Sequence, residues 1–173
     1  MSLRYTMSDH VLITPQDDLE TLLDELIATN YDKEFCLALN FSPSFIARLM
    51  AAGFLVMSAE LADGILVLPK IHITRSILDF HDLHVKKSIR RLLSRYELRV
   101  DRDFSYIVDH CVMVHGDDWL TAPLVQSVKR ICYLNGTPVR PISFGLYRDG
   151  VLVAGEFGVI CGRVYTSYSG YYE

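Results

Sequence analysis

The sequence lacks the features that mark membrane, secreted and disulfide-rich proteins. It has no apolar run close to the roughly 20 residues that a membrane helix needs, and its N-terminus, MSLRYTMSDH, has no apolar stretch of the signal-peptide kind. Its four cysteines are far apart, with no CxxC pair, so neither a disulfide framework nor a zinc ribbon is indicated. We therefore expect a soluble cytoplasmic protein with reduced thiols and no membrane partner.

Short motifs for cofactor or nucleophile chemistry are also missing. The chain has no GxSxG, P-loop or dinucleotide fingerprint, and it lacks the glycine-rich pyrophosphate loop of coenzyme A-dependent acetyltransferases. His81 and His84 are three residues apart, but neither Cys111 nor Asp79 stands at a recognisable ligand spacing. We therefore expect no bound metal, and the missing loop argues against coenzyme A.

Charge is spread unevenly along the chain. The 173 residues carry a formal net charge of −4, and about half are apolar, which is enough for one globular domain with a sizeable core. PQDDLETLLDEL near the N-terminus is acidic. In contrast, HDLHVKKSIRRLLSRYELRVD, residues 81–101, contains Lys86, Lys87, Arg90, Arg91, Arg95 and Arg99. An anionic partner would be sought at this local basic surface.

Local patterns predict an α+β fold. Apolar residues three and four apart, with caps and prolines at the starts, predict helices over 16–29, from Pro43 to Gly53, from Phe104 with Asp103 as cap, and from Thr121 to Gly136. FLVMS and GILVLP predict strands around an Asp63-Gly64 turn, and YELRV predicts another. Three further strands from Pro141, with an Asp149-Gly150 turn, indicate a central antiparallel meander.

The basic segment predicts a short amphipathic helix. Its cationic side would stack Lys87, Arg91 and Arg95 at i, i+4 and i+8, opposite Ile89, Leu92, Leu93 and Tyr96. Cations in a first turn meet the positive end of the helix dipole, which disfavours each by about 0.3–1 kcal/mol. Backbone N–H groups and cations together suit a phosphate, and a solvated helix face is the open alternative.

Three other positions leave a structural and a functional interpretation open. Trp119, the only tryptophan, could belong to the core or stack on a base. Glu156 interrupts an apolar strand beside small residues, where it could act as a general base or face solvent. Asp117 and Asp118 are more typical of a turn than of acid chemistry.

The order of these segments resembles the leucyl/phenylalanyl-tRNA–protein transferase family. FCLALNFSPSFIARLMAAGF is similar to the family's run of LLA, Gly-Gly-Asp, LSP, helix and Gly-Ile-Phe. RSILDFHDLHVKKSIRRLL resembles its Arg, VL, Leu-His-Ile-Ser-Arg-Ser-Leu and basic residues. RVDRDFSYIVDHCV, DDWLTAPLVQSV and SFGLYRDGVLVAGEFGVICGRVY continue the likeness, the last like SIEVW…ELVGGMYGV. The resemblance extends from about residue 35 to the end.

This resemblance implies transfer of Leu or Phe from a charged tRNA to the N-terminal amine of a protein that begins with Arg or Lys. It implies a GNAT-type acyltransferase core over 81–173 behind a small N-terminal α/β region over 1–80. No cofactor is needed, because aminoacyl-tRNA is itself the activated donor. The partners would be aminoacyl-tRNA and a protein or peptide with an exposed N-terminus, and we expect the transferase to be a monomer.

The resemblance also implies two sets of site residues. Those matching the family's tRNA-contacting stretch are Arg75, His84, Lys86, Lys87, Arg90, Arg91 and Trp119. Those expected at the aminoacyl pocket are Ser143, Gly145, Glu156, Tyr165 and Ser169.

Departures from the family pattern bear on activity. VLPKIHITR replaces the paired tryptophans, Gly145 stands at the glutamate of SIEVW, and SYSGYY replaces GESMF. The family's Asp-Cys-Gln region would lie beyond residue 173, so we expect a truncated chain or a divergent member. Gly145 would open room in the pocket, and no proton acceptor for the attacking amine is identified. A GNAT-like N-acyltransferase with another donor and a non-catalytic tRNA-binding relative are the alternatives.

Overall fold

The N-terminal part pairs two helices with a β-hairpin. The computed structural model describes residues 9–62, 64–72, 74 and 76–173. Helix α1 (Leu19–Ala28) begins at Asp18, whose carboxylate accepts the Glu20 amide, and α2 (Pro43–Ala51) begins with proline in its first turn. Strands β1 (Leu55–Leu61) and β2 (Gly64–Lys70) pair antiparallel. Both predicted helices and the hairpin are confirmed, although Asp63 of the predicted turn lies outside the described residues.

The basic segment forms a shorter helix than its pattern predicts. Helix α3 (Lys87–Leu92) has six residues, and a single 3₁₀ turn follows from Leu93 to Arg95. Its apolar side chains stay exposed, with Ile89 at 49% and Leu93 at 63% of their full accessible surface. Helices gain most of their stability from packing an apolar face. An α-helix continuing to Arg95 was therefore a wrong prediction, because nothing covers that face among the described residues.

The C-terminal part is a four-stranded antiparallel sheet with two helices before its meander. Its order is β3-β4-β5-β6. The elements are β3 (Glu97–Val100), α4 (Phe104–His115), α5 (Ala122–Ile131), β4 (Val139–Arg148), β5 (Val151–Cys161) and β6 (Val164–Tyr172). The α+β class and the meander are confirmed. The GNAT-like identity of this core and the division at residue 80 stay predictions.

Two predicted helix ends are corrected by the contacts of single residues. Asp103 precedes α4 as predicted, but its carboxylate makes no cap bond and accepts the Tyr147 hydroxyl instead. Helix α5 ends at Ile131, before Gly136, and Leu134 beyond it is 37% exposed. The Tyr147 hydroxyl of β4 therefore draws the Asp103 carboxylate away from a capping role. Helix α5 ends early because the residues that follow it are no longer buried.

One hydrophobic core joins both parts. Leu26, Phe45 and Val56 from the N-terminal part belong to the same buried cluster as Leu124 and Phe157 from the C-terminal part. Helix α4 covers one face of the sheet, and the Phe104 ring meets the Phe157 ring edge-on at a centroid distance of 6.3 Å. None of the helices in the described ranges is long and apolar enough to cross a membrane.

Gly158 permits a close approach between β5 and β6. The strand register shifts between Phe157 and Gly158, as at a β-bulge. A Cβ atom at Gly158 would collide with the Thr166 carbonyl oxygen and would lie 2.6 Å from the Tyr165 ring. Because one of these neighbours is backbone, the strands would have to move apart.

Gly158→Ala is therefore expected to destabilise the fold by about 1–3 kcal/mol, the usual cost of overpacking. Urea unfolding followed by far-UV circular dichroism measures this change. Val151→Ala on the same strand is the matched control, because Val151 is 61% exposed and its truncation should cost at most about 0.5 kcal/mol. Equal unfolding free energies for the two variants would contradict the close approach.

Candidate active site and nucleic-acid interface

The outer edge of β1 joins the N-terminal hairpin to the C-terminal part. The Val56 amide donates to the Tyr168 hydroxyl at 3.1 Å, and the Ser58 amide donates to the Trp119 carbonyl at 2.9 Å. Buried backbone N–H groups need acceptors. Strand β2 pairs with the other edge of β1, so it cannot supply acceptors on this edge. These two bonds therefore fix Trp119 and Tyr168 opposite the same strand.

A buried hydroxyl pair strengthens this junction. The Ser58 side chain is fully buried, its oxygen lies 2.8 Å from the Thr121 hydroxyl oxygen, and it accepts the Thr121 amide at 3.1 Å. It also donates to the Trp119 carbonyl at 3.2 Å. One serine thus holds both Thr121, the residue before α5, and Trp119, two positions earlier.

A cavity of about 420 Å³ opens beside this junction. It is lined by Leu55, Met57, His115, Trp119, Ser167, Tyr168 and Ser169. A second cavity of about 280 Å³ shares Leu55, Ser167 and Tyr168 with it, so the two adjoin. The walls are mostly apolar or aromatic with a few polar groups, which is the usual makeup of a small-ligand site.

His115, an exposed residue at the end of α4, is part of the cavity lining. Its Nε2 lies 2.7 Å from the Gly170 carbonyl oxygen of β6. A carbonyl oxygen can only accept, so Nε2 carries the hydrogen and Nδ1 of the neutral ring keeps its lone pair. Tyr168 is the other titratable group of the lining, and burial raises its pKa above the ordinary value for tyrosine.

The residues predicted for the aminoacyl pocket divide between the two faces of the sheet. Directly paired residues of an antiparallel sheet point to the same face. Ser143 and Ser169 both pair with Phe157, which contacts α4, and of these two only Ser169 lines the cavity. Gly145 also lies on the α4 face, but side chains already fill the space beside it. A Cβ there would be 2.9 Å from the Tyr147 ring, so the expectation that Gly145 opens room is wrong.

Glu156 and Tyr165 lie together on the opposite face. Glu156 pairs with Phe144, and each is next in the chain to a residue that faces α4, so both point to the other face. The Tyr165 hydroxyl donates to Glu156 Oε1 at 2.8 Å, and the Phe144 ring meets the Tyr165 ring edge-on at 5.3 Å. Burial, followed by the bond to Glu156, raises the pKa of Tyr165, which keeps its hydroxyl protonated as a donor. The structure therefore does not bring all five predicted residues into one pocket.

Five exposed cations form what we call the basic surface: Lys86, Lys87, Arg90, Arg91 and Arg95. No aspartate or glutamate occurs between Leu83 and Tyr96, and none of the five forms an ion pair with another described residue. Arg99, the sixth cation of the segment, differs because it donates to Glu97 at 2.6 Å and thereby lowers the pKa of that carboxyl group. The five unpaired cations are free to meet an external anion.

The remaining tRNA-binding predictions fall in different places. His84 is exposed next to the basic surface, Trp119 is half-buried at the cavity, and Arg75 lies outside the described residues. His81 groups with Asp79 and Asp82 rather than with His84, since one ligand atom of each lies within 4.8 Å of the others. All three side chains are exposed, and exposed acidic groups are common on protein surfaces without a metal.

The sequence reasoning missed His115 and Tyr168 as site residues. Two hydrogen bonds reveal them. His115 and Gly170 are 55 positions apart in the chain, and Val56 and Tyr168 are 112 positions apart. No local spacing reports contacts of that range, so only the fold could show them.

Comparisons with known proteins identify a family for this chain. The family model of leucyl/phenylalanyl-tRNA protein transferase matches residues 77–173, more than half of the chain. Leucyl/phenylalanyl-tRNA–protein transferases are among the similar curated proteins. That of Campylobacter lari is 26% identical over 91 residues, which cover 53% of this chain and 40% of the relative. That of Roseobacter denitrificans is 25% identical over 129 residues, 73% of this chain and 59% of the relative.

The matched region contains the basic surface, Trp119 and the whole four-stranded sheet, so this part of the chain is of the tRNA–protein transferase class. The chain belongs to the leucyl/phenylalanyl-tRNA protein transferase family. A third relative, from Ruegeria pomeroyi, is 24% identical over 95 residues, 54% of this chain and 43% of the relative. The chain thus spans about half the length of the curated relatives it matches.

Ser58→Ala tests the junction that positions Trp119. The variant removes the acceptor of the buried Thr121 amide, and an unsatisfied buried donor costs about 1–3 kcal/mol. Urea unfolding followed by Trp119 fluorescence should show this loss, with a red-shifted native emission as the indole becomes more exposed. Ser44→Ala on the exposed side of α2 is the matched control. A Ser58→Ala protein as stable as Ser44→Ala would contradict the role of the hydroxyl.

Proposed function

We propose that the chain transfers a Leu- or Phe-type aminoacyl group from charged tRNA to the N-terminal amine of a protein, forming a peptide bond. The observation that carries this proposal is the cavity at Trp119, of whose seven lining residues five, including Ser169 from β6, lie in the family-matched region. An indole at the mouth of a mostly apolar cavity can stack on the terminal adenosine of a tRNA while an apolar aminoacyl side chain enters.

The basic surface supplies the second part of the proposal. Five unpaired cations on an otherwise acidic protein attract a polyanion and hold phosphates without reading base sequence. Selection would then depend on the aminoacyl group and the 3′ end of the tRNA. The site residues proposed for tRNA are those named from the sequence, with Lys86, Lys87, Arg90 and Arg91 at the phosphates and Trp119 at the terminal base.

The reaction needs no separate cofactor in this scheme. The ester that joins the amino acid to the tRNA ribose is already activated, and the acceptor amine attacks its carbonyl carbon. Holding the two reactants in line supplies most of the rate enhancement, because a bimolecular step becomes effectively unimolecular. The proposal also includes a GNAT-like arrangement of the meander, action as a monomer and a cytoplasmic location.

Transfer assays test the activity directly. Radiolabelled leucyl- and phenylalanyl-tRNA, offered with peptides that begin with Arg or Lys, should yield alkali-stable label in the peptide. N-acetylated peptides are the matched control and should stay unlabelled, because they lack the attacking amine. Salt-sensitive tRNA binding without transfer would favour the non-catalytic alternative. Labelling from acetyl-coenzyme A instead would favour the GNAT-like N-acyltransferase.

Charge reversal tests the basic surface separately. Lys87→Glu with Arg91→Glu should reduce the slope of log K against log salt for tRNA binding by about 1.5, since each lost phosphate contact removes about 0.7–0.9. The thermal midpoint should stay unchanged, because both side chains are exposed and unpaired. Lys33→Glu with Arg163→Glu makes the same charge change in two loops outside the basic surface and should leave the slope near that of the unaltered protein. Equal slopes for both double variants would refute phosphate contacts at α3.

A further inference from the structure

We propose that Phe80 stacks on an unpaired base of the tRNA, so that the protein holds the RNA by an aromatic contact as well as by its phosphates. This inference rests on the proposed function and adds a site to it, because neither the basic surface nor the lining of the Trp119 cavity includes Phe80. The ligand is defined by its chemistry: a nucleobase whose flat face is not covered by a neighbouring base.

Four apolar side chains ahead of the basic surface are exposed, and we call them the apolar loop: Ile77, Leu78, Phe80 and Leu83. Phe80 is 93% and Ile77 88% exposed, the two highest values among the large apolar side chains of the described ranges. No residue between 76 and 95 is buried, so the described core does not cover these side chains. Single exposed apolar side chains are ordinary, whereas a contiguous exposed group is typical of an interaction site.

A single 3₁₀ turn, Phe80–Asp82, presents the Phe80 ring. The Asp82 amide donates to the Asp79 carbonyl oxygen at 3.0 Å, and the Leu83 amide donates to the Phe80 carbonyl oxygen at 3.2 Å. The backbone that carries the ring is therefore hydrogen-bonded within the turn. Binding costs less when the segment that makes the contact is already ordered, because less conformational freedom is lost.

The charges near Phe80 favour a base over a phosphate at the turn. Asp79 and Asp82 flank the ring, and His81 Nε2 lies 3.4 Å from an Asp82 carboxylate oxygen. Carboxylates repel a phosphate, so phosphates belong at the basic surface instead. That surface begins at Lys86, six residues after Phe80 and at most about 22 Å from it along the chain. An uncharged aromatic ring beside such a surface suits the face of a base.

RNA presents uncovered bases where its strands are not paired. Loops, bulges and single-stranded ends offer base faces to aromatic side chains, whereas a paired helix keeps its bases stacked. Proteins that bind single strands combine cations along the phosphates with aromatic side chains under the bases. The apolar loop and the basic surface place both kinds of group on one exposed stretch of chain, residues 77–95. Since every base has a π face, the contact would tolerate any base.

Phe80→Leu is the informative variant, because it keeps an apolar side chain and removes the ring. The measurement is the affinity for phenylalanine tRNA, titrated at several salt concentrations between about 50 and 200 mM. We expect Phe80→Leu to weaken binding by about fivefold or more at every salt concentration, the range of a lost base–aromatic stack. The slope of log K against log salt should stay unchanged, because no phosphate contact is lost. The thermal midpoint should also stay unchanged, since the ring is exposed.

Two further variants separate stacking from general apolar contact. Phe80→Trp keeps an aromatic ring and should bind tRNA within about twofold of the unaltered protein. Tyr133→Leu is the matched control, because Tyr133 is 84% exposed and follows α5, outside residues 77–95. It loses an exposed ring in the same way and should also bind within about twofold.

RNAs of different structure test and locate the base. A blunt RNA duplex keeps its bases stacked, so Phe80→Leu should bind it as tightly as the unaltered protein does. The same titration with tRNA trimmed of its single-stranded 3′ end separates two sources of the base. A loss that persists with the trimmed tRNA places the base in a loop, and a loss that disappears places it at the 3′ end.

The outcomes distinguish this inference from the proposed function. If Phe80→Leu binds tRNA within about twofold of the unaltered protein, or loses the same factor on the duplex, the stacking contact is overturned while the transferase activity stands. A Phe80→Trp protein as weak as Phe80→Leu overturns it likewise. Binding of tRNA that depends on the Phe80 ring, without aminoacyl transfer, overturns the proposed transfer and leaves the contact in place. Absence of tRNA binding by the unaltered protein overturns both.

Discussion

The outer edge of β1 is the constraint on which the rest of the site depends. An edge strand that becomes buried must find acceptors for its amides, and the Val56 and Ser58 amides find theirs in Tyr168 and Trp119. A hairpin from the first half of the chain is therefore locked onto the last strand and onto the loop before α5. The cavity exists because these bonds hold the two parts at that separation.

This constraint also determines which side chains line the cavity. Residues on β1 that face the cavity are apolar, and the strand on the far side presents serines and a buried phenol. The carboxylate of Glu156 belongs to the other face, because one position along a strand reverses the direction of a side chain. The end of α4 forms another wall, where the His115 ring hydrogen-bonds to the Gly170 carbonyl oxygen.

Much of the fold followed from local patterns, whereas the site did not. The start of α2 at Pro43, the Asp149-Gly150 turn and the three strands that follow Pro138 depend on signals that act over a few residues, so the sequence predicts them well. The cavity is assembled from segments far apart in the chain, joined by hydrogen bonds that no spacing encodes. The length of the helix at the basic surface was overestimated for a related reason. Periodicity indicates an amphipathic face without showing whether anything covers it.

The basic surface and the cavity depend on different physics, which is why their contributions can be separated. Helix α3 has no buried residue, so its cations add little to the stability of the fold and are free to serve an external polyanion. Attraction of that kind acts over about 10 Å and weakens with salt. The cavity depends on short-range hydrogen bonds that are nearly insensitive to salt but sensitive to displacements of less than 1 Å. Salt should therefore alter the binding of a polyanion at the basic surface, while the geometry of the cavity should change little with salt.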